Sequence, residues 1–553
     1  MDYLKKYETW KNEKSLDETL KKELANLSAD EIKEAFYKDL DFGTGGLRDI
    51  MGPGTNRINI YTIRRAALGF GNYLLKKHEK VTGVAISYDN RFNSRLFAVE
   101  CAKVLANLNI KSYVYSELRP TPMLSFLVRQ KNLSGGIMIT ASHNPKQYNG
   151  FKAYDETGAQ LNLEDANNVI LESAKIKDLF NIGLKDNDLI NYVNDSFDDI
   201  YLTEVEKISL KQDLEKKVVI AYSPLHGTGG TVIPKFLTKM GYDVHSYLPE
   251  LVVDPNFSHA KSSNPEEKAA YENLKKFAFE IKADIIMVTD PDADRLGIGV
   301  YHEGDYHLLS GNQTAALELY YLLSENKNLP KKGFVYKSNV TTTLIDKITE
   351  SFNYETVITL PGFKFIGEKA EENQDKGMYL FGCEESYGSL ISDFVRDKDA
   401  VQAVYILAEI ANFLKLKDLT IIDYLEEIYE KYGYFYEYTE NITLTGISGA
   451  EQIKTIIDFY RNNPPVIKDY KLHYYEDILK QVRYIDNKEI KINLPSANVL
   501  KFQYENDTWI ILRPSGTEPK IKIYFGTKQD SLEIAKSFIA LVKTKINEQI
   551  KEL

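Results

Sequence analysis

Cysteine is nearly absent from this chain: Cys101 and Cys383 are the only two in 553 residues. They stand far apart and in no CxxC, so neither a disulfide framework nor a structural zinc site is indicated. No apolar run approaches membrane-spanning length, and the start Met1-Asp2-Tyr3-Leu4-Lys5-Lys6 lacks the apolar core of a signal peptide, which together lead us to expect a cytoplasmic location. Positive charge is the minority, 69 Lys and Arg against 80 Asp and Glu for a net charge of −11. That balance argues against a nucleic-acid surface and gives no general attraction for an anionic substrate, so cations must be gathered locally at a site. Nucleotide fingerprints are missing too. Gly43-Thr44-Gly45 is followed by Arg48 where a dinucleotide motif needs its third glycine, Gly227-Thr228-Gly229 is followed by Val232, and Gly362 to Gly367 ends in Glu368 where a P-loop needs lysine. His226 and His259 are left without an assigned role, since a lone histidine is more often a turn or packing residue.

What is present is ordinary globular material, 27% charged and 43% hydrophobic, in a chain too long for one core. A charged helical lead runs to about Tyr37, its lysines and glutamates most simply a solvated face. Strand and helix patterns then alternate. Val218-Val219-Ile220-Ala221-Tyr222 reads as a buried strand, Ser223 to Gly230 as a glycine-rich turn, Val232 to Met240 as a helix and Tyr242 to His245 as the next strand, a βαβ unit. A comparable strand, loop and helix recur at Gly333 to Phe352. Asn441 to Tyr524 changes to short alternating strands, closed by an amphipathic helix from Ser531 to Leu553. No proline-rich or low-complexity linker marks the joins.

Three segments carry chemistry. Thr140-Ala141-Ser142-His143-Asn144-Pro145 follows the apolar Gly136-Ile137-Met138-Ile139, and Pro145 with Asn149-Gly150 forces irregular backbone beyond it. Ser142 is then a hydroxyl on a strand-to-loop corner, with His143, Lys152 and loop amides nearby to activate or balance it. A turn-building serine is the plainer explanation of this stretch taken alone. Asp290-Pro291-Asp292-Ala293-Asp294-Arg295 follows a second apolar strand, Ile285 to Val288, and sets carboxylates at alternate positions, a pattern suited to Mg²⁺. An EF-hand fails here because Arg295 and Tyr301 stand where glycine and glutamate are required. Arg513-Pro514-Ser515-Gly516-Thr517-Glu518-Pro519-Lys520, followed by the alternating Ile521 to Tyr524, offers a guanidinium fork, two hydroxyls, close backbone amides and the point charge of Lys522. It reads as a phosphate cradle rather than a simple Ser-Gly turn.

In order and spacing these segments resemble the α-D-phosphohexomutase family, the phosphoglucomutases and phosphomannomutases. Phe42-Gly43-Thr44-Gly45-Gly46-Leu47-Arg48 resembles the family's amino-terminal active-site segment, and Gly382-Cys383-Glu384-Glu385-Ser386-Tyr387-Gly388 its sugar-binding loop, so the likeness spans about Asp41 to Phe525. Two departures leave the reacting groups in place: Cys383 stands where glycine usually precedes the loop's glutamate, and Pro361-Gly362-Phe363-Lys364 replaces a Thr-Gly start. The Glu-Glu-Ser-Tyr-Gly form looks more like the glucose-type branch, although long relatives of this type include phosphomannomutases and enzymes of pentose phosphates.

The resemblance implies three related α/β domains plus a smaller C-terminal α+β domain around a central active-site cleft, with domains expected at 1–205, 206–310, 311–432 and 433–553. It implies a phosphoserine at Ser142, Mg²⁺ held by that phosphate with Asp290, Asp292 and Asp294, and a phosphate-binding loop at Arg513, Ser515, Gly516 and Thr517 with Lys522. Arg48 and Lys152 are expected nearest the transferring group, with proton transfer open among Lys152, His143 and water. Arg295, Lys364 and Arg396 are expected to bind substrate, and Glu384 and Ser386 to meet two sugar hydroxyls. The implied reaction is a double phosphoryl transfer between hexose 1-phosphate and hexose 6-phosphate through a hexose bisphosphate, with glucose 1,6-bisphosphate or an equivalent as activator. Its partners would be sugar phosphates, with no nucleic acid and no membrane, and the chain a monomer or homodimer. A phosphopentomutase or sugar-bisphosphate-forming relative is the alternative within the class. Outside it stand a metal-dependent phosphoserine hydrolase, which needs neither cradle nor sugar loop, and a non-catalytic binding relative.

Overall fold

The apolar run Gly135–Ile139 forms a strand with all five residues buried, as a run without alternation should when both sheet faces are covered. A computed structural model describes residues 2–40, 46–444, 446–486, 488–514 and 520–553. In it this strand lies inside a six-stranded sheet. Val84–Tyr88 pairs with it in parallel and with Ser112–Tyr115 in parallel on the other side, and Ile190–Val193 extends the parallel edge. Tyr148–Tyr154 returns antiparallel along Gly135–Ile139, and Gly46–Ile50 closes the sheet antiparallel to it. Helices Ile60–Lys77 and Ser94–Asn107 bury apolar faces against these strands around Phe70, Ile86, Phe97 and Ile137, and Thr121–Gln130 packs Leu124 and Val128 on Gly136. Before the sheet, Asp2–Asn12, Glu18–Ala25 and Ala29–Phe36 form a helical lead that is more than a solvated face, since Trp10 and Phe36 seat it on Tyr61.

The second sheet has five strands. Val219–Ser223 is parallel to both Asp243–Ser246 and Ile285–Thr289, and Leu296–His302 then turns back antiparallel to the last of these. Parallel strands deliver their loops to the same edge, and the carboxyl ends of such strands are where α/β sheets bind ligands. Three loops leave from such ends: Asp89 to Arg91, Thr140 to Pro145 and Asp290 to Arg295.

The chain divides into two compact units, one of residues 1–314 and 363–421, the other of residues 315–362 and 422–553. Both sheets above belong to the first, as does the hairpin of Met378–Glu384 and Gly388–Leu390. The second unit holds a parallel pair, Gly333–Ser338 with Glu355–Thr359, joined through helix Leu344–Ser351. It also holds a seven-stranded sheet whose pairings are antiparallel, covered by Gly446–Asn462 and the closing helix Leu532–Glu552. No helix among the described residues is long and apolar enough to cross a membrane.

Candidate active site

Ser142 stands three residues past the end of Gly135–Ile139 with φ +50°, a left-handed backbone state that a non-glycine residue holds only when its surroundings impose it. The constraint is visible. Its amide donates to Thr140 Oγ1 at 2.7 Å, and the Arg91 guanidinium donates to the carbonyls of Ser142, Asn144, Pro145 and Tyr148. Arg91 is itself braced by Asp89 at 3.1 Å and is fully buried. So turned, the Ser142 hydroxyl donates to Asp290 Oδ2 at 2.8 Å and lies 3.3 Å from His143 Nδ1.

Asp290, Asp292 and Asp294 are buried and bring one carboxylate oxygen each within 4.8 Å of one another. The loop is fixed at both ends. Amides of Asp294 and Arg295 donate to Asp290 Oδ1 at 3.1 Å, while the Thr121 amide and hydroxyl donate to Asp292 O and Oδ2 at 2.9 Å. Lys152 Nζ reaches Asp292 Oδ2 at 2.8 Å and Asp294 Oδ2 at 3.5 Å, and Lys398 Nζ reaches Asp294 Oδ2 at 3.2 Å. Even so, Asp292 Oδ1 and Asp294 Oδ1 are buried and accept no hydrogen bond among the described residues. Orphaned anionic oxygens are costly unless a cation completes them. The triad could hold a metal ion, and its all-oxygen donors suit a hard divalent one.

Electrostatics agree with that reading. Burial and the two neighbouring carboxylates push Asp290 well above the usual carboxylate range, a repulsion that a bound cation would relieve. At Asp292 burial works the other way from Lys152, and the ammonium wins, holding this carboxyl ionised. Burial likewise opposes the charge of Lys152, but Asp292 and Asp294 outweigh it and keep the ammonium protonated. His143 is driven well below its ordinary range by burial and then by Arg295 and Arg48, so its ring is neutral.

The other predicted residues fall as follows. Arg48 lies on Gly46–Ile50 opposite Gly150 and donates to Asn144 Oδ1 at 3.1 Å, which puts it on the same loop as Ser142. Arg295 pairs with Glu266 at 2.6 Å. Glu384 ends the strand Met378–Glu384 and Ser386 sits in the hairpin turn that follows, a turn anchored to the strand after the metal loop by Leu296 N–H donating to Tyr387 O at 2.9 Å. Lys364 is the second residue of helix Phe363–Asn373, and burial lowers it to about 8. Arg396 is buried against Glu371 and Asp393, whereas Lys398, two residues on, is the one that reaches Asp294. In the second unit Arg513 and Lys522 are directly opposed across the pair Trp509–Pro514 and Lys520–Gln529. Phe42 to Gly45 and Ser515, Gly516 and Thr517 lie outside the described residues.

Arg91, Thr121 and Lys398 escaped sequence reasoning. Arg91 had a signal, since Asp89-Asn90-Arg91 follows the buried strand Val84–Tyr88 just as the serine and aspartate loops follow theirs. Thr121 and Lys398 had none, because their partner Asp292 or Asp294 is more than a hundred residues away.

Comparison with known proteins places this geometry. Residues 39–179, 199–303 and 310–432 match the α/β/α domains I, II and III of phosphoglucomutase/phosphomannomutase, and residues 474–538 match its C-terminal domain. A phosphoglucomutase of Staphylococcus haemolyticus (strain JCSC1435) is 38% identical over 512 residues, covering 91% of this chain and 92% of the relative. One of Staphylococcus aureus (strain MSSA476) is 37% identical over 513 residues, covering 90% and 91%. Among solved structures, the open form of pp63/parafusin from Paramecium superposes with a TM-score of 0.71 at 20% identity, covering 93% of this chain and 96% of that one. A family protein from Burkholderia thailandensis gives 0.65 at 16% identity, covering 92% and 97%, so these two share the fold. With the four domains matched in series and relatives of nearly equal length, the chain belongs to the phosphoglucomutase/phosphomannomutase family, the α-D-phosphohexomutases.

Proposed function

We propose that this chain interconverts hexose 1-phosphate and hexose 6-phosphate, glucose phosphates first, using a phosphoryl group carried on Ser142 and a hexose bisphosphate intermediate. The reaction class is the family's, isomerisation by intramolecular phosphotransfer. One observation carries the reading: a hydroxyl held in a strained turn donates directly to the first member of a buried aspartate triad in which Asp292 Oδ1 and Asp294 Oδ1 accept no hydrogen bond among the described residues. The glucose preference is supported by relatives that are phosphoglucomutases over nine-tenths of both chains and by the sequence Glu384-Glu385-Ser386-Tyr387-Gly388.

In this reading Mg²⁺, held by Asp290, Asp292, Asp294 and the phosphorylated Ser142, would supply charge neutralisation for the transferring group. The chain's own residues do the rest. Arg91 and Thr140 hold the Ser142 backbone so that its oxygen points at the triad, which is positioning of the kind that lowers the entropic part of a barrier. Lys152, which meets Asp292 and Asp294, and Arg48, which meets the Asn144 side chain, are assigned to the charge of the transferring group. Neutral His143, 3.3 Å from Ser142 Oγ, has a ring nitrogen available for a proton. Glu384 and Ser386 are assigned to the sugar hydroxyls.

Arg513 and Lys522, with residues 515–517, are assigned to the non-reacting phosphate. Their opposition across the strand pair puts two cationic side chains at one register position, which suits a dianion. The acidic composition and near absence of cysteine support a cytoplasmic setting. The test is a panel of glucose, mannose, glucosamine and pentose 1-phosphates with Mg²⁺ and a trace of bisphosphate. Glucose 1-phosphate should turn over fastest, with no inorganic phosphate released. A faster pentose or mannose substrate would replace the sugar assignment, and stoichiometric phosphate release would make the protein a hydrolase.

A further inference from the structure

The turn Pro224-Leu225-His226-Gly227-Thr228 touches neither the proposed phosphoryl carrier nor the aspartate oxygens, yet its backbone is forced. Leu225 and His226 both hold positive φ, +47° and +65°. Thr228 N–H donates to Pro291 O at 2.8 Å, and a Cβ on Gly227 would stand 2.4 Å from Pro291 Cα, so the turn is pressed onto the metal loop between Asp290 and Asp292.

The His226 ring, fully buried, is bonded at both nitrogens. Nδ1 lies 2.7 Å from the Val252 carbonyl, and Nε2 accepts the His259 N–H at 3.2 Å. A carbonyl only accepts and an amide only donates, so these partners require the neutral Nδ1–H tautomer. The imidazole thereby closes the base of the loop 252–259. That loop meets the loop of residues 89–91: Asp254 O accepts from Asn90 Nδ2 at 3.0 Å, and the Phe257 ring lies 5.3 Å from the Arg91 guanidinium. Arg91 is the group that holds the Ser142 and Asn144 carbonyls.

We infer that His226 is a positioning residue for phosphoryl transfer, coupling the metal loop to the serine loop by closing the 252–259 loop, whose Phe257 backs Arg91. The inference rests on the proposed carrier role of Ser142. Its registration with Asp290 depends on two segments from different sheets, and the 224–228 turn meets the metal loop directly and the serine loop through Phe257 and Arg91.

The test compares His226→Asn with the parent. Asparagine tolerates positive φ and can donate to the Val252 carbonyl, but it cannot also reach the His259 amide. We expect kcat for glucose 1-phosphate to fall about tenfold, the scale for a small misplacement of reacting groups, with KM within about twofold. Amide hydrogen exchange should quicken at 252–259 and at 142–148 together. Phe257→Leu, which leaves both His226 bonds in place, should reproduce the kcat loss and the faster exchange at 142–148. An unchanged kcat in either folded variant would overturn the inference, as would a loss expressed wholly in KM or faster exchange confined to 252–259. Loading of Ser142 in the parent separates the two readings: a parent that takes no phosphoryl group refutes the carrier assignment, whereas a parent that loads and turns over no faster than His226→Asn refutes only the role of His226.

Discussion

At Ser142 three separate contacts converge on one strained residue: the Thr140 hydroxyl on its amide, Arg91 on its carbonyl and Asp290 on its own hydroxyl. The triad beyond it repels itself. Asp292→Asn, which removes one anion while keeping the size, should lower Mg²⁺ affinity and turnover together, and excess Mg²⁺ should recover part of the turnover. Calorimetric titration of the metal alongside the rate checks both halves of that claim; equal affinity in parent and variant would remove Asp292 from the ligands. Lys364 gives a pH signature. Burial lowers it to about 8, so its ammonium is present below that pH and lost above it. If it meets the anionic substrate, KM should be flat to about pH 8 and then climb, and Lys364→Arg should flatten the profile because arginine stays charged. An unchanged climb in that variant would assign it to another group. At this scale the sequence was readable wherever reacting residues cluster in a short segment, as Ser142 with His143 or Asp290 with Asp292 and Asp294. It was silent on Lys398 and Thr121, whose roles exist only because distant segments meet, and it drew attention to Arg396 where the fold pairs that residue with Glu371 and Asp393.

Strands did most of the positioning, and they were legible because fully buried parallel strands are unbroken apolar runs. Ile285–Thr289 and Gly135–Ile139 stand where their apolar residues put them, each ending at a functional loop. The helical lead was the weaker reading. Its charge concealed the burial of Trp10 and Phe36, two residues that a charge count does not register. The antiparallel return Tyr148–Tyr154 links Lys152 to this architecture, and its middle is tightly packed. A Cβ at Gly150 would lie 2.5 Å from Leu47 O and 2.6 Å from Thr140 O, both backbone atoms that cannot swing away. Gly150→Ala should therefore cost about 1–3 kcal/mol of stability by overpacking. Urea unfolding should show a lower midpoint at unchanged slope. Turnover should fall as well, since the strands carrying Arg48 and leading to Ser142 are the ones pushed apart.

For the whole molecule, the order of the four family domains was legible from the motifs, but the division into two units was not. The boundaries of those units cut the third matched domain, residues 310–432, at 314, 362 and 421. Nothing in composition marks those points, because contacts between distant segments decide them. The sugar-loop hairpin falls in one unit, and Arg513 and Lys522 in the other. Arg513→Ala, at the residue assigned to the non-reacting phosphate, should separate two rates. Loading of Ser142 by a small phosphoryl donor should stay near that of the parent, whereas substrate binding weakens and bisphosphate escapes more often during mutase turnover. Equal damage to both rates would move Arg513 to the reacting centre.

Everything proposed for the cycle turns on Ser142 carrying the phosphoryl group. Incubating the protein with Mg²⁺ and glucose 1,6-bisphosphate labelled in its phosphates, then mapping the label by peptide mass analysis, tests it directly. Label should appear on Ser142, be absent from Ser142→Ala, and pass to sugar when unlabelled glucose 1-phosphate is added. Label at another residue, or label leaving Ser142 as inorganic phosphate at the rate of turnover, would contradict it.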